Sequence, residues 1–317
     1  MLVLVAPGQG AQKPGFLSPW LELPGVADRL RAWSDAIDLD LIHYGTEAGE
    51  EEIRDTAVAQ PLLVAAGLVS AQALFGTGFT GGFDVVAGHS VGELTAAAAA
   101  GALAPRTAVE LVRKRGLAMA EAAARAETGM AALLGGEPEH VLPHLEKLGL
   151  TPANVNGAGQ IVAAGTAEQL TALAEDKPEG TRRVVPLKVA GAFHTHHMAP
   201  AVTALDAAVR DLEVGDPRLP FVSNRDGEVV KDGADLIQRL VNQVSSPVRW
   251  DLCMERFQQL GVTALVELTP GGTLTGIAKR ALPGVVNLAL KTPDDLDAAR
   301  ALVAEHAVIP AAVSPAE

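Results

Sequence analysis

Short apolar runs of strand character alternate with helical patterns along most of the chain, and this alternation constrains the fold more than any other feature. Strands that are buried on both faces have near-continuous apolar sequences, and the helices that join them cover a parallel sheet. The sequence therefore predicts an α/β fold with a largely parallel sheet. The predicted strands are Leu2–Ala6, Phe83–Ala87, Val184–Val189, Leu219–Val222, Ala264–Leu268 and Val285–Leu290. The predicted helices are Pro61–Leu74, Val91–Ala100, Pro105–Ala126, Ala199–Leu212 and Asp251–Leu260.

The segment 129–190 departs from this order. Its pattern predicts a strand, a helix, two strands, a helix and a strand, which is the β-α-β-β-α-β order of a ferredoxin-like unit. We therefore expect a ferredoxin-like subdomain at 129–190, inserted into a large α/β catalytic domain made of 1–128 and 191–317. The alternative is that these elements simply extend the main sheet. The tail 307–317, which contains two prolines, is expected to be frayed.

Charge and cysteine content exclude several classes of function. The chain has 25 Lys and Arg against 38 Asp and Glu, a net charge of −13, whereas nucleic-acid binding needs a large basic surface. The single cysteine, Cys253, rules out an internal disulfide framework and indicates a reducing compartment. After the first strand, the longest apolar stretch is expected to be Thr95–Leu103. It is about half as long as the ~20 residues that a membrane span needs. We expect a cytoplasmic protein with neither nucleic-acid nor membrane partners.

The pentapeptide Gly88-His89-Ser90-Val91-Gly92 lies between a predicted strand and a predicted helix. This is the setting of a nucleophile elbow, in which a strained turn exposes a serine hydroxyl. The N-terminus of the following helix offers the Val91 N–H and a positive dipole to a developing oxyanion. The sequence therefore predicts that Ser90 is a nucleophile, the alternative being a glycine-rich turn with an incidental serine.

A serine nucleophile needs a base, and His194 is the candidate among eight histidines. It is the first histidine after a predicted strand, where active-site residues of such sheets gather. His196 is the second choice, and the cluster of three histidines at 194, 196 and 197 could instead hold zinc. No Asp or Glu between Ser90 and His194 suits a third triad member, so a Ser–His dyad with a backbone carbonyl on the imidazole is expected.

Arg115 and Gln9 complete the candidate site. The helical neighbours of Arg115 are apolar, so its guanidinium either snorkels to water or awaits an anionic substrate. Gln9 lies in a glycine-containing turn after the first strand, from which its amide could supply a second oxyanion donor. Neither this turn nor the one at 269–272 has a phosphate-binding glycine motif.

These features together resemble the malonyl-CoA:acyl carrier protein transacylases and related acyltransferase domains of fatty acid and polyketide synthases. The matching motifs occur in the same order as in the family and are spread over almost the whole chain. They are Pro7-Gly8-Gln9-Gly10-Ala11-Gln12, Gln60-Pro61, Gly88-His89-Ser90-Val91-Gly92-Glu93, Arg115-Gly116, Asn154-Val155-Asn156 with Gly159-Gln160, Phe193-His194 with Met198, Ser246-Pro247-Val248-Arg249-Trp250 and Glu267 to Gly272.

The resemblance implies a hydrolase-like domain that carries a ferredoxin-like subdomain. It implies that Ser90 becomes acylated, that His194 is the base and that Arg115 binds the malonyl carboxylate. It also implies that Gln9 and the Val91 N–H are the oxyanion donors.

Further substrate contacts are implied at Phe193, Met119 and Asn156. A phenylalanine before the catalytic histidine is similar to malonyl-selective members, whereas methylmalonyl-selective members commonly have serine there. Arg249 departs from members that have glutamine at its position. Because only a backbone carbonyl near it is thought to orient the histidine, we expect the change to be tolerated.

The implied reaction is ping-pong: malonyl-CoA acylates the serine, and the phosphopantetheine thiol of acyl carrier protein then takes the malonyl group. No resident cofactor and no metal are expected, since the coenzyme A thioester is a substrate and the partner carries the phosphopantetheine. Docking of an acidic carrier protein would need a basic patch, for which the candidates are Arg182, Arg183, Lys188, Lys279 and Arg280. The alternatives are a serine hydrolase or thioesterase that acts on anionic acyl thioesters, and a non-catalytic scaffold that binds acyl carrier protein.

Overall fold

A computed structural model describes residues 1–79 and 81–308, so the expectation for the tail falls almost wholly outside the described residues. Within them the chain forms eleven strands and twelve α-helices. The strands are β1 (Leu2–Ala6), β2 (Val85–Gly88), β3 (Thr128–Gly135), β4 (Thr151–Gly157), β5 (Gln160–Thr166), β6 (Thr181–Pro186), β7 (Phe221–Val222), β8 (Val229–Val230), β9 (Val248–Arg249), β10 (Ala264–Glu267) and β11 (Val286–Ala289). The helices are α1 (Val26–Ile37), α2 (Leu41–Thr46), α3 (Thr56–Phe75), α4 (Gly92–Ala99), α5 (Pro105–Ala123), α6 (Pro138–Lys147), α7 (Ala167–Glu175), α8 (Ala199–Val209), α9 (Gly233–Gln243), α10 (Trp250–Gln259), α11 (Thr273–Ala281) and α12 (Leu296–His306).

The larger sheet has the order β11-β10-β1-β2-β7-β8 and is parallel except for the β7–β8 pair at its edge. Every residue of β1 is buried, and its side chains alternate between two apolar clusters on opposite faces. Leu2 and Leu4 belong to one cluster, while Val3 and Val5 belong to the other. The predicted mixed α/β architecture is therefore present, with a central strand covered on both faces.

The strands of 129–190 lie in a second sheet, so they do not extend the first. The second sheet has the order β6-β3-β5-β4-β9, and its pairs are antiparallel except β4–β9. The prediction of a strand of the larger sheet at Val184–Val189 was wrong, because 184–186 end β6 and pair with β3 in the second sheet, while 187–189 are not in a strand. The fifth strand, β9, was not predicted and comes from outside 129–190, since Asn154 pairs with Val248.

Two expectations about apolar segments were wrong. Helix α3 was predicted from Pro61 but begins at Thr56, because Asp55 caps it by accepting the Ala57 N–H. Among the helices of the described residues, this one, and not the run Thr95–Leu103, is long and apolar enough to cross a membrane by length and composition. However, 83% of its apolar window is buried inside the protein, where α3 packs against α4 and α5. It is therefore a core helix of the larger unit.

Candidate active site

The turn between β2 and α4 holds Ser90 in a left-handed conformation, with φ of 53°. The flanking glycines allow this turn to pack tightly. A Cβ on Gly88 would lie 2.0 Å from the Gly92 carbonyl carbon, and a Cβ on Gly92 would lie 2.2 Å from the Ala6 carbonyl oxygen. Asn224 secures the turn, because its side chain accepts the Ser90 N–H at 2.7 Å and donates to the Gly88 carbonyl at 2.7 Å. The geometry is that of the predicted nucleophile elbow.

His194 contacts this serine. Its Nε2 lies 2.8 Å from Ser90 Oγ, and its Nδ1 lies 2.8 Å from the backbone carbonyl of Gln243. A carbonyl at Nδ1 fixes the tautomer with Nε2 unprotonated, so Nε2 can accept the serine proton. The expected backbone carbonyl is present, although it belongs to Gln243, six residues before Arg249. The Arg249 side chain instead pairs with Asp251.

Among the described residues, no other histidine contacts the Ser90 hydroxyl. His196 is exposed and its ring stacks on that of His197, with 4.1 Å between centroids. His89 Nε2 is 2.8 Å from Asn156 Oδ1. Among the described residues, no group of three or more His, Cys, Asp or Glu side chains is placed to hold a metal ion.

Burial controls the charge of the imidazole. Desolvation, reinforced by the nearby Arg115 cation, lowers the pKa of His194 to about 3. The ring is therefore neutral at pH 7 and has its base form available. Burial likewise lowers the pKa of Arg115 to about 10, which leaves the guanidinium charged at pH 7.

Arg115 is 3% exposed, so it does not snorkel to water. Its Nη1 donates to Gln60 Oε1 at 2.6 Å, and its Nη2 donates to Gln243 Oε1 at 2.9 Å and to Ser90 Oγ at 3.3 Å. None of the ion pairs formed within the described part of the chain includes Arg115. A buried cation held by neutral amides beside a serine hydroxyl is suited to an anionic group of a substrate.

The remaining predicted residues have different positions. Gln9, Val91, Met119 and Phe193 line a cleft with Ser90 and His194, at the carboxyl ends of β1 and β2 and against one face of the second sheet. The Gln9 amide donates to the Arg54 carbonyl at 3.3 Å, whereas the Val91 N–H makes no hydrogen bond to any described residue. Met119 Sδ accepts from Gln60 at 3.3 Å.

Three residues near the site had no predicted role. Gln60 belongs to the Gln60-Pro61 motif, but nothing in that motif indicated that Gln60 would bind Arg115. Gln243 ends α9, an amphipathic helix that the Asp232 cap and the spacing of Leu236, Ile237, Leu240 and Val241 could have revealed. Glu93 is 1% exposed, and burial raises the pKa of its carboxyl to about 8, against the opposing effects of the Asn224 hydrogen bond and the Arg115 charge.

Comparison with known proteins places this geometry in context. A sequence profile for the acyl transferase domain matches residues 3–301. The malonyl CoA-acyl carrier protein transacylase of Mycobacterium tuberculosis (strain ATCC 25618 / H37Rv) is 54% identical over 298 residues, which are 94% of this chain and 98% of that protein. The enzyme of that name from Bacillus subtilis (strain 168) is 33% identical, over 94% of this chain and 96% of that protein.

Solved structures agree with this similarity. The crystal structure of MCAT from Mycobacterium tuberculosis matches with a TM-score of 0.91 and 53% identity, over 95% of this chain and 99% of that one. A malonyl-transacylase in complex with its type II PKS acyl-carrier protein matches with a TM-score of 0.87 and 30% identity, over 95% and 99% of the two chains.

Proposed function

Since the chain belongs to the acyl transferase family, and within it to the malonyl CoA-acyl carrier protein transacylases, we propose that it transfers a malonyl group from coenzyme A to acyl carrier protein. The group would travel as an ester on Ser90. One observation carries this assignment: the Ser90 hydroxyl contacts both the neutral imidazole of His194 at 2.8 Å and the Arg115 cation at 3.3 Å. A nucleophile, a base and a carboxylate receptor thus meet at one oxygen atom.

In the first half-reaction His194 Nε2 takes the Ser90 proton as Oγ attacks the malonyl thioester carbonyl. The oxyanion would accept hydrogen bonds from the Val91 N–H and from the Gln9 amide, which must turn away from the Arg54 carbonyl to reach it. Collapse of this intermediate breaks the C–S bond, and His194 returns the proton to the coenzyme A sulfur. The malonyl carboxylate would replace Ser90 as an acceptor for Arg115.

In the second half-reaction the phosphopantetheine thiol of acyl carrier protein gives its proton to His194 and attacks the ester carbonyl. The C–O bond breaks, Ser90 Oγ regains the proton, and malonyl carrier protein leaves. The chain itself would hold no cofactor, because coenzyme A and phosphopantetheine arrive with the two substrates. Of the exposed basic residues considered for docking, we choose Lys188 as the contact for acyl carrier protein at the rim of the cleft. It lies between Leu187 and Val189, which line the cleft.

Phe193 and Met119 are proposed to contact the acyl group, since both are buried and line the cleft. Asn156 has its carbonyl on His89, so we propose that it acts on the substrate by holding that side of the cleft. We place the protein in the cytoplasm, in keeping with a free, buried Cys253.

We also propose that 1–128 and 191–317 form a hydrolase-like catalytic domain and that 129–190 form an inserted ferredoxin-like subdomain. The β-α-β-β-α-β order and the neighbour order β6-β3-β5-β4 support this division. The cleft would then lie where the two units meet.

A thiol-release experiment separates transfer from hydrolysis. The protein is mixed with malonyl-CoA, with and without holo-acyl carrier protein, and free coenzyme A thiol is followed. The proposal expects about one equivalent of thiol followed by a stall, and steady turnover when carrier protein is added. Sustained release without carrier protein would instead identify a thioesterase.

A further inference from the structure

The Glu93 side chain lies behind the active site, and its carboxyl group makes no hydrogen bond to Ser90 or His194; only its backbone N–H contacts the elbow, donating to the Ser90 carbonyl at 3.0 Å. Glu93 is the second residue of α4, and both of its carboxyl oxygens are engaged by groups that do contact the site. Its Oε2 accepts from Gln243 Nε2 at 2.6 Å, and its Oε1 accepts the backbone N–H of Asn224. The contacts made by those two residues determine what Glu93 can influence.

Gln243 connects Glu93 to the cation. Its Nε2 faces Glu93 while its Oε1 accepts from Arg115 Nη2 at 2.9 Å. Turning this amide over would set its NH₂ against the guanidinium, so that two donors face each other. The nearest other acceptor for Nε2 is Asn224 Oδ1 at 3.3 Å, a longer contact. Glu93 is therefore the group that keeps the oxygen of Gln243 towards Arg115.

Asn224 connects Glu93 to the nucleophile, because its side chain accepts the Ser90 N–H. A single buried carboxyl thus supports both the cation and the elbow. It supports the cation through a neutral amide, and no carboxylate of residues 1–79 or 81–308 bonds directly to the guanidinium. An acid in direct contact would compete with a substrate carboxylate for the same donors.

We infer that Glu93 is a positioning residue that fixes the Gln243 amide and thereby keeps Arg115 aimed at Ser90 and open to the substrate carboxylate. This inference rests on the proposed malonyl transfer. Both carboxyl oxygens can accept hydrogen bonds whether or not the group carries a proton, whereas a glutamine at position 93 has one oxygen and one NH₂. Glu93→Gln therefore cannot satisfy both Gln243 Nε2 and the Asn224 N–H.

The test compares acylation of Ser90 by malonyl-CoA and by acetyl-CoA in Glu93→Gln, followed by rapid quench and intact mass, together with the melting temperature. The expected result is a malonyl-to-acetyl rate ratio at least about tenfold below that of the unmodified protein, because acetyl has no carboxylate for Arg115. Equal losses on both substrates, or an unchanged ratio, would overturn the inference.

Glu267→Gln is the matched control. Glu267 is fully buried and accepts the backbone N–H groups of Gly272, Leu274 and Thr275, away from the cleft. Its replacement should lower the melting temperature and leave the malonyl-to-acetyl ratio unchanged. A ratio that falls equally in this variant would mean that the effect of Glu93→Gln reports stability alone.

The exchange Glu93→Gln with Gln243→Glu keeps the test decisive if the single variant does not fold. The exchanged pair can still form a hydrogen bond, but it puts a carboxylate directly on Arg115. The malonyl-to-acetyl ratio should then stay at least about tenfold below that of the unmodified protein. A ratio equal to that of the unmodified protein would overturn the inference. If the unmodified protein is not acylated by malonyl-CoA at all, the proposed function fails, and not this assignment alone.

Discussion

Ser90 Oγ is the atom on which the proposed chemistry depends, because His194 and Arg115 both contact it. The sequence pointed to all three residues through the elbow pentapeptide, the position of a histidine after a strand and an arginine among apolar neighbours. It could not reveal Gln60 and Gln243, which lie 55 and 128 positions from Arg115 along the chain. Contacts between such distant residues depend on how helices pack, and local patterns do not encode that.

Replacing Arg115 with alanine should remove malonyl transfer selectively. Truncating one partner of a buried charge pair costs about 2–5 kcal/mol, which is roughly 30-fold to several thousand-fold in rate. Acetyl transfer should be spared or improved, because it needs no cation. Rates of Ser90 acylation with both acyl-CoAs, measured beside the melting temperature, check this. Parallel losses that follow stability would mean that Arg115 is only structural.

The low pKa of His194 predicts the pH dependence of acylation. A base whose pKa is lowered to about 3 stays deprotonated as the pH falls through 6.5, so the rate of Ser90 acylation should not decline near that value. Because the Arg115 cation contributes to the lowering, Arg115→Ala should raise the pKa and move the acid limb to higher pH. Acetyl-CoA, which does not need Arg115, serves as the substrate for both proteins. An acid limb near pH 6.5 in the unmodified protein would contradict this.

At the scale of elements, the junction of β1, β2 and α4 builds the elbow. The sequence predicted these elements to within a residue or two, because apolar runs and glycines mark their ends. Helix α9 was not predicted although its pattern is amphipathic, and β9 has only two residues, too few for any period to emerge. These are the elements that bring Gln243 to the imidazole and add the fifth strand to the second sheet.

Gly92→Ala should separate α4 from β1. The new Cβ would lie 2.2 Å from the Ala6 carbonyl oxygen, and since that atom is backbone, no side chain can move to relieve the contact. Overpacking of this kind costs about 1–3 kcal/mol or more, and acylation by both acyl-CoAs should fall with it.

Gly276→Ala is the control, since a Cβ there meets nothing within 4 Å in the middle of α11. Its free energy of unfolding should rise by about 0.5–1 kcal/mol. Urea unfolding measures both variants, and equal stabilities would contradict the close-packing account.

For the whole molecule, the question is how the two sheets meet around the cleft. The sequence predicted a separate β-α-β-β-α-β unit from its element order, but no local pattern gives the contacts between the units. One such contact joins His89, in the elbow, to Asn156 on β4. Asn156 is 6% exposed, and its carbonyl oxygen pairs with a ring nitrogen of the partly buried His89.

Asn156→Ala should therefore destabilise the protein. Leaving a buried polar group without its partner costs about 1–3 kcal/mol, and the loss for the partly buried His89 ring should lie at the lower end of this range, which urea unfolding would measure. If Asn156 served only as a direct substrate ligand, the KM for malonyl-CoA would rise while the stability stayed unchanged.

The central claim, a malonyl ester on Ser90, is tested most directly by intact mass after brief mixing with malonyl-CoA in the absence of acyl carrier protein. The account predicts that the protein gains the mass of one malonyl group, that the gain disappears when holo-acyl carrier protein is added, and that Ser90→Ala never acquires it. A Ser90→Ala protein that still gains a malonyl group, or an unmodified protein that transfers malonyl without ever carrying it, would contradict the account.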